Sequence, residues 1–193
     1  MLDDLRSPLL CHADDVAERR LMAQLDILLA PDPRLKRRAE AVPQVDRNVR
    51  RLMDDMMTVM HDANGIGLAA PQVGVLKRVI VIDVSRPEDT PQPYRMANPE
   101  LLWQSEDTLT GEEGCLSLPE QFGEVTRPNA IRVRYLDENG ESRELEADGL
   151  LAKCIQHEMD HLEGTLFVDH LSSLKRNIIL RRMAKTKRLA AAG

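Results

Sequence analysis

Residues 131–161 read IRVRYLDENGESRELEADGLLAKCIQHEMDH, and the hydrophobic period changes within them. Ile131, Val133 and Tyr135 alternate with Arg132 and Arg134, the two-residue period of a strand with one buried face. Asn139-Gly140 supplies the positive-φ pair of a tight hairpin turn, so Ser142–Ala147 is predicted to return as the partner strand. Asp148 then stands where a helix N-cap belongs. The spacing predicts a helix over Gly149–Glu163 that stops at Gly164. An antiparallel hairpin running straight into a helix is not a βαβ unit, so the chain is not expected to build a parallel sheet.

The flanking sequence extends this pattern. Upstream, Val49, Leu52, Met53, Met56, Met60 and Ala63 recur at helical spacing, Asp46 can cap the start, and Gly65 is expected to take the left-handed C-terminal position. Arg78–Val84 is a β-branched run, the mark of a buried strand. The apolar segment Leu21–Ala30 meets Pro31-Asp32-Pro33, which must break any helix. A last helix is predicted to begin near Ser172 or Ser173 and to carry a basic tail over about 172–189. Strands outnumber helices without alternating with them, giving an α+β class with mainly antiparallel sheet.

With 193 residues and 42% hydrophobic content, one core is the expectation: a polar N-terminal extension over 1–20, then a single catalytic domain over 21–193. The net charge of −6 is uneven. Lys175, Arg176, Arg181, Arg182, Lys185, Lys187 and Arg188 give residues 171–193 a charge of +7 without one acid, on a body of −13. Leu174, Ile178 and Ile179 are the expected packing side of that helix. Cys11, Cys115 and Cys154 are too few and scattered for a disulfide framework and point to a reducing compartment. The first residues lack the basic start and apolar core of a secretory signal, and no apolar run approaches the ~20 residues needed to span a bilayer. A cytoplasmic protein without a membrane span is expected.

The chemistry concentrates in His157-Glu158-Met159-Asp160-His161. On a helix, positions i and i+4 lie about 40° apart around the axis, so both imidazoles can reach one ion, while Glu158 sits about 100° from the first. That leaves its carboxylate beside the metal, able to exchange a proton with water. A third ligand must come from elsewhere. Phe167 stands where a metzincin protease needs histidine, and no acid follows Asp169 to serve as a thermolysin-type ligand. Cys154, one turn before His157, would make a cramped set on a single helix. Cys115, in Glu113-Gly114-Cys115-Leu116-Ser117, is better placed, because glycine lets the backbone approach an ion and thiolate suits zinc or ferrous iron. Gly65-Ile66-Gly67-Leu68-Ala69-Ala70-Pro71-Gln72 lacks the Lys-Ser/Thr of a phosphate loop, and Pro71 is expected to lead into a strand. Its small residues permit an extended backbone beside a ligand, and Gln72 adds a neutral donor for an oxyanion.

These three segments resemble the motifs of the peptide deformylases, GxGΦAAxQ at Gly65–Gln72, EGCΦS at Glu113–Ser117 and QHExDHΦxG at Gln156–Gly164, complete and in the family's order. The likeness runs from about Leu25 to Arg188. It implies antiparallel sheets wrapped around a central metal-binding helix, with a C-terminal helix. It also implies hydrolysis of the formyl amide of N-formyl-methionyl nascent peptides, with release of formate. The ligand set it implies is Cys115, His157 and His161 around one divalent ion, ferrous iron foremost, with zinc, nickel or cobalt able to substitute. Glu158 is then the proton shuttle, and Gln72 and the Leu116 N–H are the oxyanion donors. Ile66 and Gly67 line the peptide, with Leu150, Cys154 and the stem of Lys153 completing the methionine pocket. Gln156 and Asp160 are candidates to orient the ligands. Phe122 and Arg127 lie where members contact the peptide beyond methionine, and Arg127 is expected to hold a substrate carbonyl or a neighbouring carboxylate, or else to be an ordinary surface arginine. The basic C-terminal helix suits docking on a ribosome, by an enzyme expected to be monomeric.

Overall fold

Strand β2 (Val79–Ile82) is buried at all four positions, and the reason is that both of its faces are covered. A computed structural model describes residues 25–86 and 90–190. In it, Val79 and Val81 pack on helix α1 (Arg47–Asp62), against Met53, Met56 and Met60. Ile80 and Ile82 face the other way, onto Ala152, Ile155 and Leu162 of helix α2 (Gly149–Leu162). The unbroken β-branched run is thus the sequence trace of a strand sandwiched between two helices.

β2 belongs to a five-stranded antiparallel sheet in the order β1-β2-β3-β6-β7, with β1 (Gly67–Ala69), β3 (Tyr94–Gln104), β6 (Ala130–Leu136) and β7 (Ser142–Asp148). The β6–β7 hairpin forms as its sequence predicts, with Ile131 opposite Ala147 and Val133 opposite Leu145. Gly140 takes φ +80° in the turn, and Asp137 accepts from the N–H groups of Asn139 and Glu141. Among the described residues, strands β4 (Thr108–Cys115) and β5 (Leu118–Pro128) pair only with each other, a separate two-stranded ribbon.

The elements differ from the sequence expectations in detail. α1 starts at the Asp46 cap, whose carboxylate accepts from Val49 N at 2.9 Å. Its left-handed residue is Asn64, at φ +54°, because asparagine tolerates that region; Gly65 is needed for another reason, described below. Pro71 does not enter a strand directly, since Ala70–Val73 first make a 3-10 turn that carries Gln72 inward. Asp148 occupies the N-cap position of α2 without a side-chain cap bond. The last helix, α3 (Ser173–Ala190), buries Ile179 and Met183 against Leu35 and Phe167, whereas Leu174 and Ile178 face solvent. The four-residue step from Ile179 to Met183 sets the packed face, and the first turn lies beyond its edge. Of Leu21–Ala30, residues 25–30 carry no helix; the expected extension over 1–20 lies outside the described residues.

Candidate metal centre and substrate cleft

Two elements that share no strand pairing meet at the site. Helix α2 contributes His157, Glu158 and His161, all buried. The end of β4 contributes Cys115, just before the Leu116–Ser117 turn of the ribbon. One donor atom from each of Cys115, His157 and His161 lies within 4.8 Å of the others, with Cys115 Sγ 3.3 Å from His161 Nε2. The imidazoles stand nearly edge to face, 5.0 Å between centroids. Cys154 lies outside this cluster; its thiol points at the Ile66 carbonyl, 3.5 Å away, and burial, first of all, pushes it well above the ordinary thiol range.

The donor set fits a divalent metal: two imidazoles and a sulfur converge, leaving room for water or substrate. Two buried polar atoms beside them, Glu158 Oε2 and His161 Nδ1, have no hydrogen-bond partner among the described residues. Burial, followed by the charge of His157, holds His161 well below the usual imidazole range and so keeps it neutral, as a ligand must be. His157 is held the other way. Against the pull of burial, its contacts with Cys115 and Glu113 raise it. Burial raises the Glu158 carboxyl to about 7, where it can take up and release a proton near neutrality.

Glycines bring the substrate wall against this chemistry. A Cβ on Gly67 would sit 2.7 Å from Cys154 Sγ and 2.9 Å from Glu158 Cδ, so only glycine lets β1 lie on the helix here. A Cβ on Gly65 would meet Leu116 Cδ1 at 2.7 Å, which is why that position is glycine although its backbone is not left-handed. Gln72 is almost fully buried, and Ala69 N donates to its Oε1 at 2.8 Å. That bond turns Nε2 outward as a donor, 3.4 Å from Cys115 Sγ and 3.2 Å from Ser117 Oγ.

An open cleft of about 480 Å³ runs between β1, the ribbon and α2. Ile66, Gly67, Leu150, Lys153 and Cys154 line it together, as does Phe122. Gln72, Cys115, Leu116, His157 and Glu158 line it as well, whereas His161, Arg127, Gln156 and Asp160 do not. Ile66 and Leu150 are half exposed, an apolar pair facing the opening. Gln156 does not orient a ligand. Its amide donates to the Pro128 and Ala152 carbonyls, both at 3.0 Å. Of the two roles expected for Arg127, a substrate carbonyl or a neighbouring carboxylate, the structure shows the second: it is buried, with Nε 2.6 Å from Glu113 Oε1 and Nη2 3.0 Å from Glu113 Oε2. Glu113 was not anticipated. Its Oε2 accepts from His157 Nδ1 at 2.8 Å, and these bonds outweigh burial to bring its carboxyl to about 2. Only its place two residues before the cysteine hinted at it.

Residues 24–177 match the family model described as polypeptide deformylase. The chain belongs to that family. A peptide deformylase of Phenylobacterium zucineum is 53% identical over 88% of this chain and all of the relative, and that of Pelagibacter ubique is 51% identical over 86% and 96%. The crystal structure of the Ehrlichia chaffeensis peptide deformylase in complex with actinonin has a TM-score of 0.82, with 42% identity over 86% of this chain and 99% of that one. The family removes N-terminal formyl groups from nascent peptides, so the chain is a hydrolase of metal-dependent type, and its fold is the mixed α+β fold of these structures. Among the described residues, no helix is long and apolar enough to cross a membrane.

Proposed function

We propose that residues 21–193 act as one catalytic unit that hydrolyses the formyl amide of N-formyl-methionyl nascent peptides, with one ion held by Cys115, His157 and His161. The observation that carries this reading is the convergence of those three donors on a cleft that Glu158 and Gln72 also line. When bound, a divalent ion supplies Lewis acidity, which acidifies water and polarises the formyl oxygen. Ferrous iron suits the mixed thiolate and imidazole set, and zinc, nickel or cobalt can substitute.

The remaining steps belong to the chain's own groups. The backbone at Ile66 and Gly67 aligns the extended peptide by strand addition, and Ile66, Leu150, Cys154 and the Lys153 stem enclose the methionine side chain. Glu158, buried and near neutral pKa, takes a proton from the attacking water and delivers it to the leaving amine nitrogen. The oxyanion that develops at the formyl oxygen is met by the Gln72 amide, whose orientation Ala69 N–H fixes, and by the Leu116 N–H. Formate and a free methionyl amine leave. The test is formate release from formyl-Met-Ala-Ser, abolished by chelation and restored by added metal. Internal cleavage of unblocked peptides in place of formate release would overturn the reading and favour a metalloprotease.

The reading puts a monomeric enzyme in the cytoplasm, where formylated chains emerge; Cys115 and Cys154 are both free thiols. It also docks α3 on the ribosome. Lys175, Arg181, Arg182, Lys185, Lys187 and Arg188 are exposed on that helix, while Arg176 is held by Asp169 at 3.0 Å. Binding to ribosomes should weaken steeply with salt, the mark of counterion release. Because Ile179 and Met183 are core, the test is replacement of the exposed cations by glutamine rather than removal of the helix. Unchanged ribosome affinity would refute docking.

A further inference from the structure

Outside the metal ligands lies a chain of charged groups that the deformylation chemistry does not use. It starts at the surface with His170, at the end of the 3-10 turn Phe167–His170, whose Nε2 is 2.8 Å from Asp160 Oδ2. That same oxygen is 2.9 Å from Arg127 Nη1. The guanidinium then makes its forked pair with Glu113, and Glu113 Oε2 meets His157 Nδ1. Asp160 comes from α2, Arg127 from β5, Glu113 from β4 and His170 from the turn before α3, so four elements are tied by one line of bonds. The inner part is dry: the Arg127 and Glu113 side chains are 7% and 3% exposed. A second contact reaches the same ligand from the same turn, since the Phe167 ring stacks on His157 at 6.5 Å and 22°.

The geometry assigns Arg127 as a positioning residue for the ligand His157, acting through Glu113, with Asp160 and His170 as its outer brace. A bond from a carboxylate to Nδ1 fixes the tautomer of a histidine and leaves Nε2 as the ligating atom. Glu113 alone could not hold that aim. A carboxylate has torsions free to turn, and the planar fork of Arg127 removes them by gripping both oxygens at once. Lysine offers a point charge and one bond, so it would keep Glu113 ionised without fixing its plane. Arg127 is itself aimed from behind by Asp160, and Asp160 by His170. Substrate is not part of this chain, because Arg127 is buried behind the cleft and does not line it.

This inference rests on the metal reading above, and the experiment separates the two. Arg127→Lys, His170→Ala and His170→Gln are each loaded with cobalt and compared with wild type. Three readouts are taken: the cobalt dissociation constant against a competing chelator, the visible absorption of the cobalt–thiolate centre, and the split between kcat and KM. Arg127→Lys should weaken cobalt about tenfold or more and alter the absorption, with KM of the loaded enzyme unchanged. His170→Ala, a surface change that does not threaten folding, should weaken it about two- to threefold. His170→Gln keeps an N–H donor at the same reach and should recover most of the loss. Wild-type affinity and spectrum in both Arg127→Lys and His170→Ala overturn the inference while leaving the metal site standing. A raised KM with unaltered cobalt binding also overturns it, by making Arg127 a substrate contact. Absence of a thiolate absorption band in cobalt-loaded wild type would sink the metal reading itself, and the inference with it.

Discussion

Gly67→Ala puts one methyl group where β1 rests on α2, 2.9 Å from Glu158 Cδ and 2.7 Å from Cys154 Sγ. Glu158 Oε1 is the nearest atom of all, and ordinary carbon contacts begin near 3.5 Å, so Glu158 Cδ must retreat by about 0.6 Å, its Oε1 by more, and the sulfur by about 0.8 Å. The stability cost of such overpacking is about 1–3 kcal/mol. It should fall near the lower end, because the end of the Glu158 side chain can move more easily than backbone. The chemistry cannot yield so cheaply. A proton carrier displaced by a good fraction of an ångström, together with a shifted peptide-aligning strand, should cost about 10² in kcat. The atoms nearest the new methyl belong to Glu158 and Cys154, not to Cys115, His157 or His161, so metal content should stay near wild type. The assay pairs steady-state formate release with metal analysis and thermal melting. Adding Cys154→Ala removes the sulfur clash but not the carboxylate clash, so it should recover melting temperature without recovering kcat. A Gly67→Ala enzyme with kcat within twofold of wild type would refute the claim that this close approach sets the position of Glu158.

Glu158→Ala should retain metal while kcat falls by at least ~10², as expected of a proton carrier that is not a ligand; loss of the ion would make it one. Iron-loaded enzyme should lose activity in air or peroxide, and cobalt- or nickel-loaded enzyme should resist, because ferrous iron beside the Cys115 thiolate is open to oxidation. Equal persistence of both would count against an iron–thiolate centre. Formyl-Met peptides should exceed formyl-Ala ones by about 10² in kcat/KM, from roughly 2–3 kcal/mol of apolar burial against Ile66 and Leu150. Equal values would move the pocket elsewhere. Asp137 is a pH probe of the β6–β7 turn: burial opposes ionisation, yet bonds from Arg143 and the N–H groups of Glu141 and Asn139 lower its pKa. A lowered folded pKa stabilises above the unfolded value of about 3.9 and is lost as pH falls through the folded one. The melting-temperature gap between wild type and Asp137→Asn should therefore be full at pH 6–7 and shrink below about pH 4. A gap independent of pH would show that the charge is irrelevant there.

The parts of the fold legible in the sequence were those whose periodicity reports burial directly. β2 reads as an apolar run because both faces are covered, and β6–β7 as an alternation with Asn139-Gly140 between. The ribbon β4–β5 gave no such trace. Most of its residues are exposed, and of its four buried positions Glu113 and Arg127 hold two, beside Leu118 and Val125, so a largely polar stretch hid a structural element. For the same reason the cluster of Cys115, His157 and His161 was readable from motif and helical spacing, whereas the partners of Arg127 were not: an arginine in a sequence does not disclose which two acids, here 14 residues before it and 33 after, will meet it. The packed face of α3 was legible at Ile179 alone, because Leu174 and Ile178 look like its apolar stripe until Met183 is seen beside Ile179 against Phe167.

The separateness of the ribbon has a mechanical side. No strand ladder joins β4–β5 to the five-stranded sheet, and Cys115 lies 42 residues before His157. On the proposed reading, an ion shared by the two works as a cross-link, closing a long loop in the way a disulfide would, but one that chelator opens and metal closes again. Cofactor loss and loosening of the cleft wall become a single event, and limited proteolysis of the ribbon would register the ion as surely as turnover does.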